Sequence, residues 1–175
     1  MVSLVVVFWM FVVLFAMIGS MRGWAKEILV AFSIILALFI ITVLERFLPF
    51  VTSLPETSKF WLHFFVIAGL AFFGYQSPNL PRLLNSQRFV REKLQDSLLG
   101  IFLGAANGYL IIGTVWFFLN RANYPGGLFY PPDPNTEMGK AAISLLELLP
   151  PVWLGSPAIY FAVAIAFVFV IVVFV

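Results

Sequence analysis

The stretch Asp96-Ser-Leu-Leu-Gly100-Ile-Phe-Leu-Gly104-Ala-Ala-Asn107-Gly108 opens an apolar run that continues to Leu119. Its glycines recur at every fourth residue, so on an α-helix Gly100, Gly104 and Gly108 fall on one face. In a bilayer, small residues let two helix backbones approach closely, and this close packing drives helix association. The stretch therefore predicts a glycine-floored groove that receives another helix, with the acid Asp96 at its mouth.

The composition around this stretch is that of a membrane protein. Of the 175 residues, 62% are hydrophobic and only 10% are charged, whereas a water-soluble domain is about half apolar and about a quarter charged. So much apolar surface cannot be buried in a core of this size, which predicts an all-α integral membrane protein with lipid as its solvent.

Residue counts exclude several classes of function. The absence of Cys excludes disulfides and thiolate chemistry, and the single His excludes metal sites built from several histidines. A net charge of +2 is too small to indicate a nucleic-acid partner. Since no catalytic constellation or phosphate loop is evident, we expect no enzyme activity, no cofactor and no metal.

About five transmembrane helices are predicted, because a spanning helix needs roughly 20 apolar residues. The first run begins at once, without the basic region of a signal peptide, so we expect it to be retained as a span. The fifth run could instead be a re-entrant or interfacial element. The five runs are 2–17, 28–43, 60–75, 97–119 and 158–175.

Two further segments resemble amphipathic helices lying at a membrane surface. Residues 79–96 alternate leucines with basic residues, which favours an interfacial helix over a solvated loop. Residues 136–149 follow a Pro/Gly-rich loop, and Thr136 is placed to cap a helix there. The chain is thus divided into a four-span domain (1–119), an external loop with an amphipathic helix (120–155) and a fifth span (156–175).

The distribution of basic residues predicts the orientation. Six basic residues lie in the links after the first and third spans, against four on the opposite side. The positive-inside rule then places the N-terminus outside and the C-terminus in the cytoplasm.

The link after the first span is the second informative stretch. It reads Gly19-Ser-Met-Arg22-Gly23-Trp24-Ala-Lys26-Glu27. Its two glycines thin the end of the first helix, and Glu27 favours the positive N-terminal dipole of the next helix. We hypothesise that Arg22 pairs with Asp96; the alternative is that each is solvated separately at the interface.

Two other polar residues lie within predicted spans. Asn107 is expected to hydrogen-bond a neighbouring helix, or to line a polar pathway. His63 is expected to be a packing or interfacial residue rather than a proton carrier, because its own helix offers no acid as a partner.

Taken together, the two stretches resemble the colicin V production protein (CvpA) family. The resemblance covers roughly residues 1–120 and rests on Gly-x-x-Arg-Gly followed by an acid, then Asp-x-x-x-Gly-x-x-x-Gly-x-x-x-Gly. Members often carry a basic residue after the second acid and another before the last glycine, where this chain has Ser97 and Asn107. The residues that carry the resemblance are Gly19, Arg22, Gly23, Glu27, Asp96, Gly100, Gly104 and Gly108.

This resemblance implies a small multi-pass protein of the bacterial inner membrane, associated with toxin production or envelope maintenance. We expect it to act by helix packing and partner binding, with lipid, other membrane subunits or further copies of itself as partners. One alternative is an accessory subunit of a larger membrane complex. Another is a small oligomeric channel or transporter.

Overall fold

The structure, a computed structural model, describes residues 3–76, 89–127 and 129–174. Those ranges contain helices, turns and loops but no strand, which confirms the predicted all-α class. In chain order the helices are α1 (Leu4–Arg22), α2 (Trp24–Phe47), α3 (Pro49–Thr52), α4 (Glu56–Tyr75), α5 (Phe89–Arg121), α6 (Glu137–Leu146), α7 (Pro150–Trp153) and α8 (Ala158–Phe174).

Four of these helices are long and apolar enough to cross a membrane: α1, α2, α4 and the part of α5 from Lys93 to Arg121. A fifth candidate is the pair Glu137–Trp153 and Ala158–Val172, which is bent by 58° at the break between them. By length and composition the described residues therefore contain four helices able to span a membrane, or five if the bent pair forms one span.

The segment predicted as an interfacial helix, 79–96, is only partly seen. Its residues up to 88 lie outside the described part of the chain. Residues 89–96 are the first turns of α5, which runs without a break to Arg121. The boundary predicted at residue 97 between a surface helix and the fourth span is therefore wrong. The prediction that Thr136 caps the second amphipathic helix is confirmed, because its hydroxyl accepts the Gly139 N–H at 3.0 Å.

α1 and α5 are antiparallel and form the most extensive helix pair of the described chain. Gly19 of α1 lies against Gly100 and Gly104 of α5. A Cβ added to Gly19 would stand 2.8 Å from the Cα of Gly104, and one added to Gly104 would stand 2.9 Å from the Cα of Gly19. A Cβ on Gly108 would lie 3.0 Å from the Cα of Val12. The two backbones are thus in direct contact, with no room for a methyl group between them.

α2 and α4 complete the four-helix core. α2 buries Val30, Ile34 and Ala37, each 0% exposed, and α4 buries Ile67 and Ala71. These spacings of three and four residues place each set on one helical face. The interior of the bundle is consequently apolar along the middle of both helices.

The C-terminal helices pack on different helices of this core, α8 on α2 and α7 on α5. α8 runs antiparallel to α2, since Phe169 packs on Phe32 with ring centroids 5.2 Å apart and Tyr160 packs on Phe39 at 6.0 Å. On α5, the Tyr109 hydroxyl donates to the carbonyl of Leu148. Tyr109 lies twelve residues, or about 18 Å, from the end of α5 at Arg121. The chain between α6 and α7 therefore reaches the middle of the central helix.

The α1–α5 contact predicts how the fold tolerates a single methyl group. Gly104→Ala is expected to lower the free energy of unfolding by about 1–3 kcal/mol, because the new Cβ meets backbone atoms that cannot move aside easily. Thermal unfolding of the purified protein in mild detergent measures this loss.

Gly69→Ala on α4 is the matched control, because a Cβ at Gly69 would have no neighbour within 4 Å. We expect that variant to be unchanged or slightly more stable, since Ala favours the helix by about 1 kcal/mol. Equal tolerance at both glycines would show that the contact is not tightly packed.

Candidate functional site

Glu27 lies in the first turn of α2 and is completely buried, with 0% of its surface exposed. Arg22 Nε donates to its Oε1 at 2.8 Å. Asn107 Nδ2 donates to its Oε2 at 2.8 Å, and the Tyr75 hydroxyl lies 3.5 Å from the same oxygen. We call Arg22, Glu27, Tyr75 and Asn107 the Glu27 cluster. It joins four helices, since the residues belong to α1, α2, α4 and α5 respectively.

The turn at Gly23 brings Arg22 and Glu27 together. Gly23 is the only residue between α1 and α2, and its φ of +83° is a left-handed value that favours glycine. The sequence predicted a longer charged link at this point. Instead, Arg22 ends one helix and Glu27 lies in the first turn of the next, so that a guanidinium and a carboxylate five residues apart can meet.

Tyr75 holds the other side of the Arg22 guanidinium. Arg22 Nη1 donates to the carbonyl of Tyr75 at 2.8 Å, and the guanidinium carbon lies 4.6 Å from the centre of the Tyr75 ring. This places the cation over the ring face, where the ring's negative potential stabilises it. Sequence inspection missed Tyr75; its position as the last residue of a predicted span was the one available signal.

Asn107 binds Glu27 twice, because its Nδ2 also donates to the Glu27 backbone carbonyl at 2.8 Å. The amide therefore hydrogen-bonds a neighbouring helix, which was one of the two roles predicted for it. Its Oδ1 is buried and has no hydrogen-bond partner within the described ranges, and the same holds for Arg22 Nη2. The cluster thus contains one acceptor and one donor that are not used.

Asp96 does not pair with Arg22, so the predicted ion pair is wrong. Its Oδ1 accepts the backbone N–H of Trp24 at 3.0 Å, and its carboxylate lies over Gly23. Asp96, a residue of α5, therefore serves as an N-terminal cap for α2. An acid is favoured at this position because the first N–H groups of a helix lack partners and its N-terminal dipole is positive. Glu27 lies in the first turn of α2, as predicted, and it is in addition the buried partner of Arg22.

A second group of charges lies at the opposite end of the bundle. Arg121 Nη1 is 3.1 Å from Glu45 Oε1, and Arg121 Nε is 3.3 Å from Glu56 Oε2. Lys59 also binds Glu56, at 2.7 Å. His63 is 2% exposed, and its Nε2 lies 3.4 Å from Glu45 Oε1 without hydrogen-bond geometry. The acid beside His63 thus comes from α2, which a search of its own helix could not reveal. We call these five residues the Arg121 cluster.

Comparison with family models, characterised proteins and solved structures gives no significant match for this chain. The chemistry of the two clusters therefore has to be judged from their geometry. The Glu27 carboxylate is sealed from solvent and bound by neighbouring helices, which suits the positioning of helices rather than the binding of a substrate. The Arg121 cluster is partly exposed, with side-chain exposures of 27% at Glu45 and 43% at Arg121.

The ion pair between Arg22 and the buried Glu27 predicts a large effect of a small change. Glu27→Gln removes the negative charge and leaves the Arg22 guanidinium without its counter-ion, at an expected cost on the order of 3 kcal/mol. Unfolding in mild detergent measures the loss. Glu137→Gln is the matched control, because Glu137 and its partner Lys140 are exposed by 91% and 59%. If both variants lose the same stability, Glu27 is not a buried charge that depends on Arg22.

The position of Asp96 makes a separate prediction. Exchanging the charges in the double variant Arg22→Asp/Asp96→Arg is expected to be at least as damaging as Arg22→Asp alone, because Glu27 would face an acid and α2 would lose its cap. Yield and melting temperature of the folded protein report the outcome. Recovery of stability in the double variant would mean that Arg22 and Asp96 do pair.

Proposed function

We propose that the chain is a multi-pass membrane protein without enzymatic activity, which acts by helix packing and by binding membrane partners. The support for membrane residence is the apolar outer surface of the bundle. Trp9 and Met17 on α1, Phe65 on α4 and Phe102 on α5 are all more than half exposed. Lipid covers such side chains without the cost that water imposes.

The observation that carries the proposed role is the closed interior between the two charged clusters. Val30, Ile34, Ala37 and Ile67 are 0–1% exposed and fill the space between the Glu27 cluster and the Arg121 cluster. Within the described residues, a single copy therefore offers no continuous polar route from one end to the other. Activity through contacts with other proteins accounts for this arrangement better than conduction through one chain.

The CvpA resemblance extends this proposal to a cellular setting. Its two motifs lie side by side in the fold, because Gly19 and Gly23 of the first motif contact the α5 residues Gly100 and Asp96 of the second. This juxtaposition supports a shared structural role for the motifs. We accordingly propose a CvpA-like protein of the bacterial inner membrane, with the N-terminus outside, the C-terminus in the cytoplasm and a role in envelope or toxin-production processes.

Transport by an oligomer is the second candidate. The bent element formed by α6, α7 and α8 favours it, since transporters commonly use broken helices near the middle of the membrane. Gly113 of α5 receives Pro150 of α7, and a Cβ on Gly113 would stand 2.8 Å from the proline Cδ. Because the described part of one copy is closed, a pore would have to form between copies.

Extraction into mild detergent followed by sizing and mass spectrometry tests the proposed function. We expect the chain to co-purify with a defined membrane protein at fixed stoichiometry, and liposomes containing the chain alone to show no ion flux above empty liposomes. A homo-oligomer that conducts ions would overturn the proposal in favour of transport. A monomer with neither partner nor flux would remove the support for both candidates.

A further inference from the structure

A cavity of about 240 Å³ lies between α2, α5 and the turn that joins α7 to α8, near the Arg121 end of the bundle. Apolar and polar side chains share its lining: Leu38, Ile41, Phe117 and Leu154 are apolar, whereas Thr42 and Ser156 carry hydroxyl groups. Two charged side chains, Glu45 and Arg121, complete the lining. The cavity thus combines a set of apolar side chains with one acidic and one basic group.

The packing of the C-terminal helices explains why this space exists. α8 packs along α2, whereas α5 is contacted by α7. The turn between α7 and α8 spans the gap between these two contacts. Its residues Leu154, Gly155 and Ser156 line the cavity. Sites that enclose a whole drug-sized ligand have volumes of about 300–1,000 Å³. This smaller cavity suits part of a single hydrocarbon chain.

The charged lining has bonding capacity that the fold does not use. Glu45 Oε1 accepts from Arg121 and lies near His63, whereas its Oε2 has no partner in the described chain. Arg121 uses Nη1 for Glu45 and Nε for Glu56, which leaves Nη2 without a protein acceptor in the same ranges. A carboxylate oxygen and a guanidinium N–H group therefore remain available, on side chains that are 27% and 43% exposed.

We propose that this cavity binds one aminophospholipid, with part of an acyl chain against the apolar walls. Its phosphate accepts from Arg121 Nη2, and its primary ammonium donates to Glu45 Oε2. The paired charges match a zwitterionic headgroup, because charge-assisted hydrogen bonds of both signs are satisfied together. A choline headgroup has no N–H to donate, and a glycerol headgroup has no cation. The inference rests on the proposed membrane location but not on any protein partner.

Lipid titration of the purified full chain, followed by native mass spectrometry, tests the site. The probes are phosphatidylethanolamine, phosphatidylcholine and phosphatidylglycerol with identical acyl chains. We expect one phosphatidylethanolamine per chain, bound about tenfold more tightly than either other lipid, as the loss of one charge-assisted hydrogen bond implies. Equal binding of the three lipids, or a preference for phosphatidylglycerol, would overturn the proposal.

Three variants identify the residues. Glu45→Gln is expected to abolish the preference for phosphatidylethanolamine over phosphatidylcholine. Glu56→Gln is the matched control, because it removes another partner of Arg121 but does not line the cavity, and it should keep the preference. Thr42→Phe, which fills the cavity, should weaken binding of all three lipids. A Glu45→Gln protein that keeps the preference would contradict the assignment.

The remaining results are also decisive. If Glu45→Gln does not fold, the lipid comparison on the unaltered chain and the Thr42→Phe variant settle the question alone. Binding of phosphatidylethanolamine by a chain that captures no protein partner would count against the proposed function and leave the lipid site standing. Capture of a protein partner by a chain that shows no lipid preference would support the proposed function and count against the lipid site.

Discussion

The close contact between the backbones of α1 and α5 is the constraint on which the rest of this structure depends. Gly19 meets Gly100 and Gly104 without an intervening side chain. This approach brings the end of α1 and the start of α2 against the middle of α5, where Asn107 can reach Glu27. A separation increased by even one methyl group would draw the helices apart at the point where their polar groups meet.

The Glu27 cluster connects the α1–α5 pair to α2 and α4 and so defines how the four helices are arranged. Burying a carboxylate and a guanidinium costs several kcal/mol for each ion, and their attraction with good hydrogen bonds offsets that cost. The net gain in stability is consequently small, but any other register of α1, α2, α4 or α5 would leave a buried charge without a partner. We infer that the cluster contributes mainly to the uniqueness of the fold.

The two ends of the bundle use charge in different ways. At one end the Glu27 carboxylate is sealed and held by three side chains, so its charge organises the protein internally. At the other end Arg121 and Glu45 are partly exposed and line a cavity, so their charges can act on a ligand. The apolar middle of α2 and α4 separates the two regions.

The sequence by itself determined the helical class, the number of apolar segments and the face of α5 that carries glycines, because composition and a 3.6-residue period are local properties. Only the tertiary structure decided which charges pair. Arg22 was predicted to pair with Asp96, but the single-residue turn at Gly23 brings it to Glu27. His63 received its acid from α2, and Asp96 became a cap for another helix. Such pairings depend on distances between residues of different helices. Helix packing determines these distances, and they cannot be deduced from the spacing of residues along the chain.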